Sequence, residues 1–133
     1  MRSVDQRHRL AQQSRDGHLA LRRVERQQAL IERLHAARGR RLRLEELAAE
    51  SRVSTRTMAR DVERLRLSGV PLTVQQGRGG GVSLPIWGAA PPVSFDVPEI
   101  AAIIASLTAL GPSTSQSAES AMRKLVQALE AGD

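Results

Sequence analysis

This sequence predicts a mostly α-helical fold, with three helices and a β-hairpin followed by two further helices. Three observations lead there. Apolar residues recur at helical spacing in three segments before residue 68. A Gly-rich run, Gln76-Gly77-Arg78-Gly79-Gly80-Gly81, separates two short strand-like pieces. Helix-start residues then reappear beyond a Pro/Ala/Gly stretch at 85–92. At 133 residues, 41% apolar and 26% charged, the chain suffices for one domain, or for a small domain with an appendage. Trp87 and Phe95 are its only aromatic residues, so Leu, Ile, Val and Ala must build the core.

Residues 1–17 are polar and without period and read as a flexible basic arm. From His18 a helix is expected to about residue 38, with Leu21, Val24, Leu30, Ile31, Leu34 and Ala37 near a 3.6 spacing and Gly39 as its stop. The connection Arg40-Arg41-Leu42-Arg43 leads to a second helix of barely two turns, on which Leu44, Leu47 and Ala48 share a face. Arg52-Val53 interrupts it. Ser54 opens a third helix as an N-cap, its hydroxyl accepting from a first-turn N–H, and Ser68-Gly69 ends it. Strands are expected at Val70–Gln75 and Val82–Leu84, completing a domain over 18–86. After a linker at 87–97, Asp96-Val97-Pro98-Glu99 starts a helix over 98–110 that is apolar or small on every side. Gly111-Pro112 stops it, and Ser113 with Gln116 forms a second capping box. Ala118, Met122, Leu125, Val126 and Leu129 then line one stripe of a last helix, closing a helical hairpin over 98–131.

Charge is unevenly distributed. Residues 1–80 carry 18 basic and 9 acidic side chains, a balance of +9, whereas 81–133 carry a balance of −3. Nineteen of the twenty basic residues are Arg. The asymmetry points the first part toward a polyanion, either nucleic acid or an anionic membrane. Other classes drop out. Without Cys there is no disulfide, thiol nucleophile or thiolate metal site. His8, His18 and His35 lie too far apart for metal-ligand spacing. The most apolar stretch, Ile100–Leu110, is eleven residues, too short for a bilayer span, and the polar N-terminus is no secretory signal. A cytoplasmic protein without cofactor, metal or membrane partner is expected.

The third helix carries the functional argument. At 100° per residue Met58, Val62 and Leu65 share a core face, while Arg56, Arg60, Glu63 and Arg64 fall opposite. A short helix and a tight turn before it, and a hairpin after it, describe a winged helix-turn-helix. Such a helix fits the major groove, where Arg pairs bidentately with guanine for about 1–3 kcal/mol of discrimination. Ser54, Thr55 and Thr57 are short enough to reach phosphate or a nearby base, and the helix N-terminus favours an anion. Arg78, between glycines, has an open approach to the minor groove or its phosphates; the bland alternative is that the glycines only permit a tight turn. Arg41 and Arg43 complete the candidate DNA contacts. The Gly run is no cofactor loop, because Val82 takes the last Gly position of G-x-G-x-x-G and no P-loop Lys is present.

The segments Val53-Ser54-Thr55-Arg56-Thr57-Met58-Ala59-Arg60-Asp61-Val62-Glu63-Arg64-Leu65, Ser68-Gly69-Val70-Pro71 and Gly77-Arg78-Gly79-Gly80-Gly81 resemble the DeoR-like winged helix that heads the WYL-domain transcription regulators. The tail from Pro91 to Ile100 is similar to the segment that follows the wing there. The resemblance implies that Ser54, Thr55, Arg56, Thr57 and Arg60 lie on the DNA-reading helix, with Arg78 on the wing. Three departures stand out. Ala59 replaces a frequent Tyr, Val82 replaces an aromatic that anchors the wing, and Arg43 replaces a Thr N-cap at a cost of about 1 kcal/mol. No Trp-Tyr-Leu-like sensor segment follows, which implies a fragment or a short member with its signal input elsewhere.

A helix apolar all round has to be buried. Ile100, Ile103, Ile104 and Leu107, with Leu125 and Leu129 of the last helix, are therefore the expected dimer interface, the alternative being a hairpin folded back on the winged domain. A symmetric dimer would set two reading helices roughly 34–36 Å apart on a pseudo-palindromic operator. Asp61, turned toward the core side, is expected to pair with an Arg of the first helix. No paired carboxylates or Ser–His–Asp set suggest catalysis. The expectation is a DNA-binding regulator of double-stranded DNA, a homodimer with an unknown effector. The rivals are a winged-helix adaptor that docks on another regulator and, lacking exposed stacking aromatics, more remotely an RNA binder.

Overall fold

In the computed structural model, residues 3–111 and 114–131 are described. Helix α1 (Val4–Ala36) is followed by α2 (Leu44–Glu50) and α3 (Thr55–Leu67). Strands β1 (Thr73–Gln75) and β2 (Gly81–Ser83) form an antiparallel hairpin, and α4 (Val97–Leu110) and α5 (Gln116–Glu130) complete the chain. The fold is therefore mostly α-helical, a winged helix-turn-helix with two C-terminal helices, as the sequence predicts.

Helix α1 corrects the expected start near His18, because the residues read as a flexible arm are helical from Val4 onward. The cause is a capping box. Ser3 Oγ accepts from the Gln6 N–H and Gln6 Oε1 accepts from the Ser3 N–H, both at 3.2 Å. Gly17 inside the helix costs about 1 kcal/mol and does not break it. Residues 4–13 and 15–20 are solvent-exposed, and α1 first enters the core at Leu30 and Leu34.

The core lies between α1, α2, α3 and the wing. Leu30, Leu34, Leu42, Leu47, Ala48, Met58, Val62, Leu65, Leu72, Val82 and Leu84 form one buried cluster without an aromatic side chain. Leu42 belongs to the wing as much as to the connection before α2. Its N–H donates to Val82 O and its carbonyl accepts from Val82 N, each at 2.8 Å. Val82, where a larger anchor was expected, is almost completely buried and holds the hairpin to this cluster. Strand β2 keeps its expected length one residue earlier, whereas β1 is shorter than the expected Val70–Gln75, for local reasons. Val70 closes α3, its N–H donating to Leu65 O at 3.0 Å, and Pro71 has no N–H to offer a ladder.

Behind the wing, Trp87 lies against Gly39, where an added Cβ would stand 3.3 Å from the indole, and the Arg38 guanidinium sits 5.7 Å from the ring centroid. This fastens the start of the linker to the end of α1. Asp96 and Glu99 form the predicted capping box of α4, each backbone N–H donating to the other's carboxylate at 2.9 Å. The expected Ser113 cap and the Pro112 stop lie outside the described residues. Ser115 caps α5, accepting from Ala118 N at 3.0 Å. Helices α4 and α5 pack on each other, and the Ser117 N–H donates to Glu32 Oε1 of α1 at 3.2 Å. Helix α4 is not buried all round, since only Ile100 is enclosed while Ala101, Ala102, Ala105 and Leu110 face solvent.

Candidate nucleic-acid interface

Helix α2, the turn at 51–54 and α3 form the helix-turn-helix. Helix α2 ends in a Schellman motif: the Val53 N–H reaches back to Ala48 O at 3.0 Å and the Arg52 N–H to Ala49 O at 3.1 Å. That motif needs a left-handed residue, and Arg52 supplies it at φ +57° without being glycine. Ser54 then starts α3, its Oγ accepting from Thr57 N at 3.0 Å as the sequence predicts. The same hydroxyl donates to Thr57 Oγ1 at 3.0 Å, so the two hydroxyls are partly committed to each other. At the start of α2, Arg43 occupies the N-cap with no side-chain cap bond and lies 3.7 Å from Glu45.

The buried face of α3 is Met58, Asp61, Val62 and Leu65. Asp61 is fully buried and is clasped by Arg26 of α1, through Nε to Oδ2 and through Nη2 to Oδ1 at 3.0 Å. That hydrogen bond raises the Arg26 pKa against an opposing desolvation. The ion pair fixes the rotation of α3 about its axis, and it is the partnership with an α1 Arg that the sequence predicts. It also draws Arg64, whose Nη1 is 3.8 Å from Asp61 Oδ1, so Arg64 sits on the α1 flank of the helix rather than at the centre of its outer face.

Arg56 and Arg60 occupy that outer face. Both are exposed and neither has a side-chain hydrogen-bond or ion-pair partner among the described residues. Thr55 is exposed beside them. Glu63, one turn on, is held by Arg66 at 3.2 Å. Sequence reasoning missed Arg66. Its angular position, just off the core stripe on the wing side, was the available signal.

An open groove of about 740 Å³ separates α3 from the wing. Its rim carries Arg43, Arg66 and Arg78 against Glu45 and Glu63. At the wing tip the Gly80 N–H donates to Gly77 O at 3.0 Å, closing a four-residue turn with Arg78 and Gly79 at its centre. Gly79 has φ +70° at the third position, where a type II turn requires glycine. A side chain at Gly81 would collide with Leu42 O, so this glycine is required by the close crossing of strands. The bland reading of the glycines thus accounts for their presence, and Arg78 stands exposed at the tip they create.

Arg41, an expected DNA contact, is exposed and also reaches the wing. Its Nη1 donates to the Gln75 side-chain oxygen and, at 3.1 Å, to Gly79 O, so the guanidinium is folded onto the wing. The expected interface set on the last two helices also divides. Ile100 is enclosed within the chain and unavailable to a second copy, while Ile103, Ile104, Leu107, Leu125 and Leu129 are half-buried.

Residues 26–82 match a protein-family model described as an HTH domain. The matched segment starts at the residue that clasps Asp61 and ends at the one that anchors the wing. The match supports a helix-turn-helix DNA-binding domain over this part of the chain. No solved structure matches the chain. Among the described residues no helix is long and apolar enough to cross a membrane, and no cluster of metal-ligating side chains occurs.

Proposed function

We propose that the chain is a sequence-specific, DNA-binding transcription regulator that reads the major groove with α3 and touches the minor groove or backbone with the wing. The observation that carries this reading is the pair of exposed guanidinium groups, Arg56 and Arg60, without partners among the described residues, on a helix whose opposite face is fixed by buried Met58, Asp61, Val62 and Leu65. Arg78 at the wing tip and the resemblance of residues 53–81 to the DeoR-like winged helix of WYL-domain regulators support it further. Arg56 and Arg60 supply base contacts, while Arg43, Arg64, Arg66 and Arg78 neutralise phosphates around them.

A homodimer joined through α4 and α5 belongs to this proposal. The chain exposes 9879 Å², whereas a compact monomer of 14.5 kDa exposes about 6,900 Å². Part of that excess lies on the exposed first half of α1; on α4 and α5 themselves the half-buried Ile103, Ile104, Leu107, Leu125 and Leu129 leave apolar surface for a second copy.

Selection of bound duplexes from random DNA, followed by anisotropy titrations at several salt concentrations, tests the reading. Binding is expected to weaken with salt by a log–log slope of about −0.9 per neutralised phosphate. Arg56→Ala flattens the sequence preference, and Arg78→Ala weakens all duplexes alike. Equal loss on every sequence for Arg56→Ala would remove that residue from base reading. Failure to bind any duplex at low salt would favour the adaptor reading, for which the exposed apolar surface at Ile86, Trp87, Val93 and Phe95 provides a docking area.

A further inference from the structure

Arg41 turns Nη1 of its guanidinium onto the wing, a contact within the protein that a purely DNA-facing role does not call for. We infer that Arg41 is a positioning residue that presets the wing tip, holding Arg78 where it meets DNA; the inference rests on the DNA-binding reading above. Four observations carry it.

Arg41 Nη1 bridges two points of the hairpin, the Gln75 side chain at the end of β1 and the Gly79 carbonyl just after Arg78. The hairpin itself is short, with three paired positions, Thr73–Ser83, Val74–Val82 and Gln75–Gly81. Its tip has Gly77 and Gly79 in left-handed conformations with open space where each side chain would stand, and within the tip it is closed by the single Gly80 N–H to Gly77 O bond. Arg41 also precedes Leu42, which is hydrogen-bonded in both directions to Val82. The clip therefore has a rigid foot in the core and a hand on the glycine-rich turn.

A glycine-rich turn loses more backbone entropy on ordering than any other. Ordering it in the free protein removes that cost from the binding step. Gln75 is the second half of the clip, as it carries no charge and acts only by receiving the guanidinium.

The test separates positioning from direct contact by a double-mutant cycle on DNA. Arg41→Ala, Arg78→Ala and the double variant are titrated by anisotropy with a random-sequence 30-base-pair duplex. Arg78→Ala is expected to weaken binding about tenfold, and Arg41→Ala by a similar direction and smaller size. The double variant is expected to match Arg78→Ala within about twofold, because a clip has nothing to hold once Arg78 is gone. Losses that multiply would make Arg41 an independent phosphate contact and overturn the inference. Gln75→Leu removes no positive charge, yet it is expected to weaken binding as Arg41→Ala does; wild-type affinity for it would overturn the inference too.

A second readout needs no DNA. Amide ¹⁵N relaxation of free Arg41→Ala is expected to show lowered order parameters at Gly77–Gly80 and unchanged ones in α3. An unchanged wing tip refutes the clip. If the wild-type chain binds no duplex, the DNA-binding reading fails while this relaxation experiment still decides whether Arg41 orders the wing.

Discussion

Replacing Arg26 with Met leaves the Asp61 carboxylate fully buried without its principal partner. Removing one member of a buried pair typically costs 3–5 kcal/mol, because the remaining charge is uncompensated. Two structural details set the value here. Arg26 is only one-fifth exposed, so solvent screens the pair little. Arg64 already stands 3.8 Å from Asp61 and can close in, which places the expected cost at the lower end, about 3 kcal/mol. For a winged domain of this size that lowers the melting temperature by roughly 12–24 °C. Urea denaturation followed by far-UV circular dichroism measures it, with the slope expected to stay constant. The double variant Arg26→Met/Asp61→Leu is expected to recover most of the loss, since an apolar pair of similar volume replaces the ionic one. A single-variant cost below about 1 kcal/mol, or a double variant as unstable as the single, would refute the claim that this pair holds α3. The pH dependence has a defined sign. Because the Asp61 hydrogen bond raises the Arg26 pKa, the linked stability is complete below arginine's ordinary value and is lost only as pH rises beyond it. Between about pH 6 and pH 10 this group contributes no change in wild-type stability.

Arg52→Gly is expected to stabilise the protein by about 1 kcal/mol, since Gly takes the left-handed position that ends α2 without the Cβ penalty; a drop in the urea midpoint would refute the strain argument. Light scattering at tens of micromolar is expected to give twice the 14.5 kDa chain mass, and Ala102→Glu on the exposed face of α4 to restore the monomer without moving the melting of the winged domain. A wild-type mass of one chain at that concentration would remove the dimer.

Helix α3 was legible because two local codes agree on it. The 3.6 spacing of Met58, Val62 and Leu65 fixes which side is buried, and Ser54 marks the start. The Asp61 partnership followed from the same rotation, since an acidic residue on the core stripe needs a cation from the neighbouring helix. The start of α1 was missed although Ser3-Val4-Asp5-Gln6 carries a capping box, because no apolar period follows to announce a helix. In α4 nearly every position is apolar or small, so periodicity cannot say that Ile100 alone is enclosed. The contact of Arg41 with the wing had no local signal. Its partners lie 34 and 38 residues away, and only closure of the wing brings them to its side.

The 33-residue length of α1 has a mechanical consequence. From Leu30, where the helix enters the core, to Val4 is about 39 Å at 1.5 Å per residue, so a tilt of about 5° there swings the far end by about 3 Å. Arg26 sits near the fulcrum with its grip on Asp61. A load applied at the distal end of this lever therefore reaches α3 as a larger force over a smaller travel.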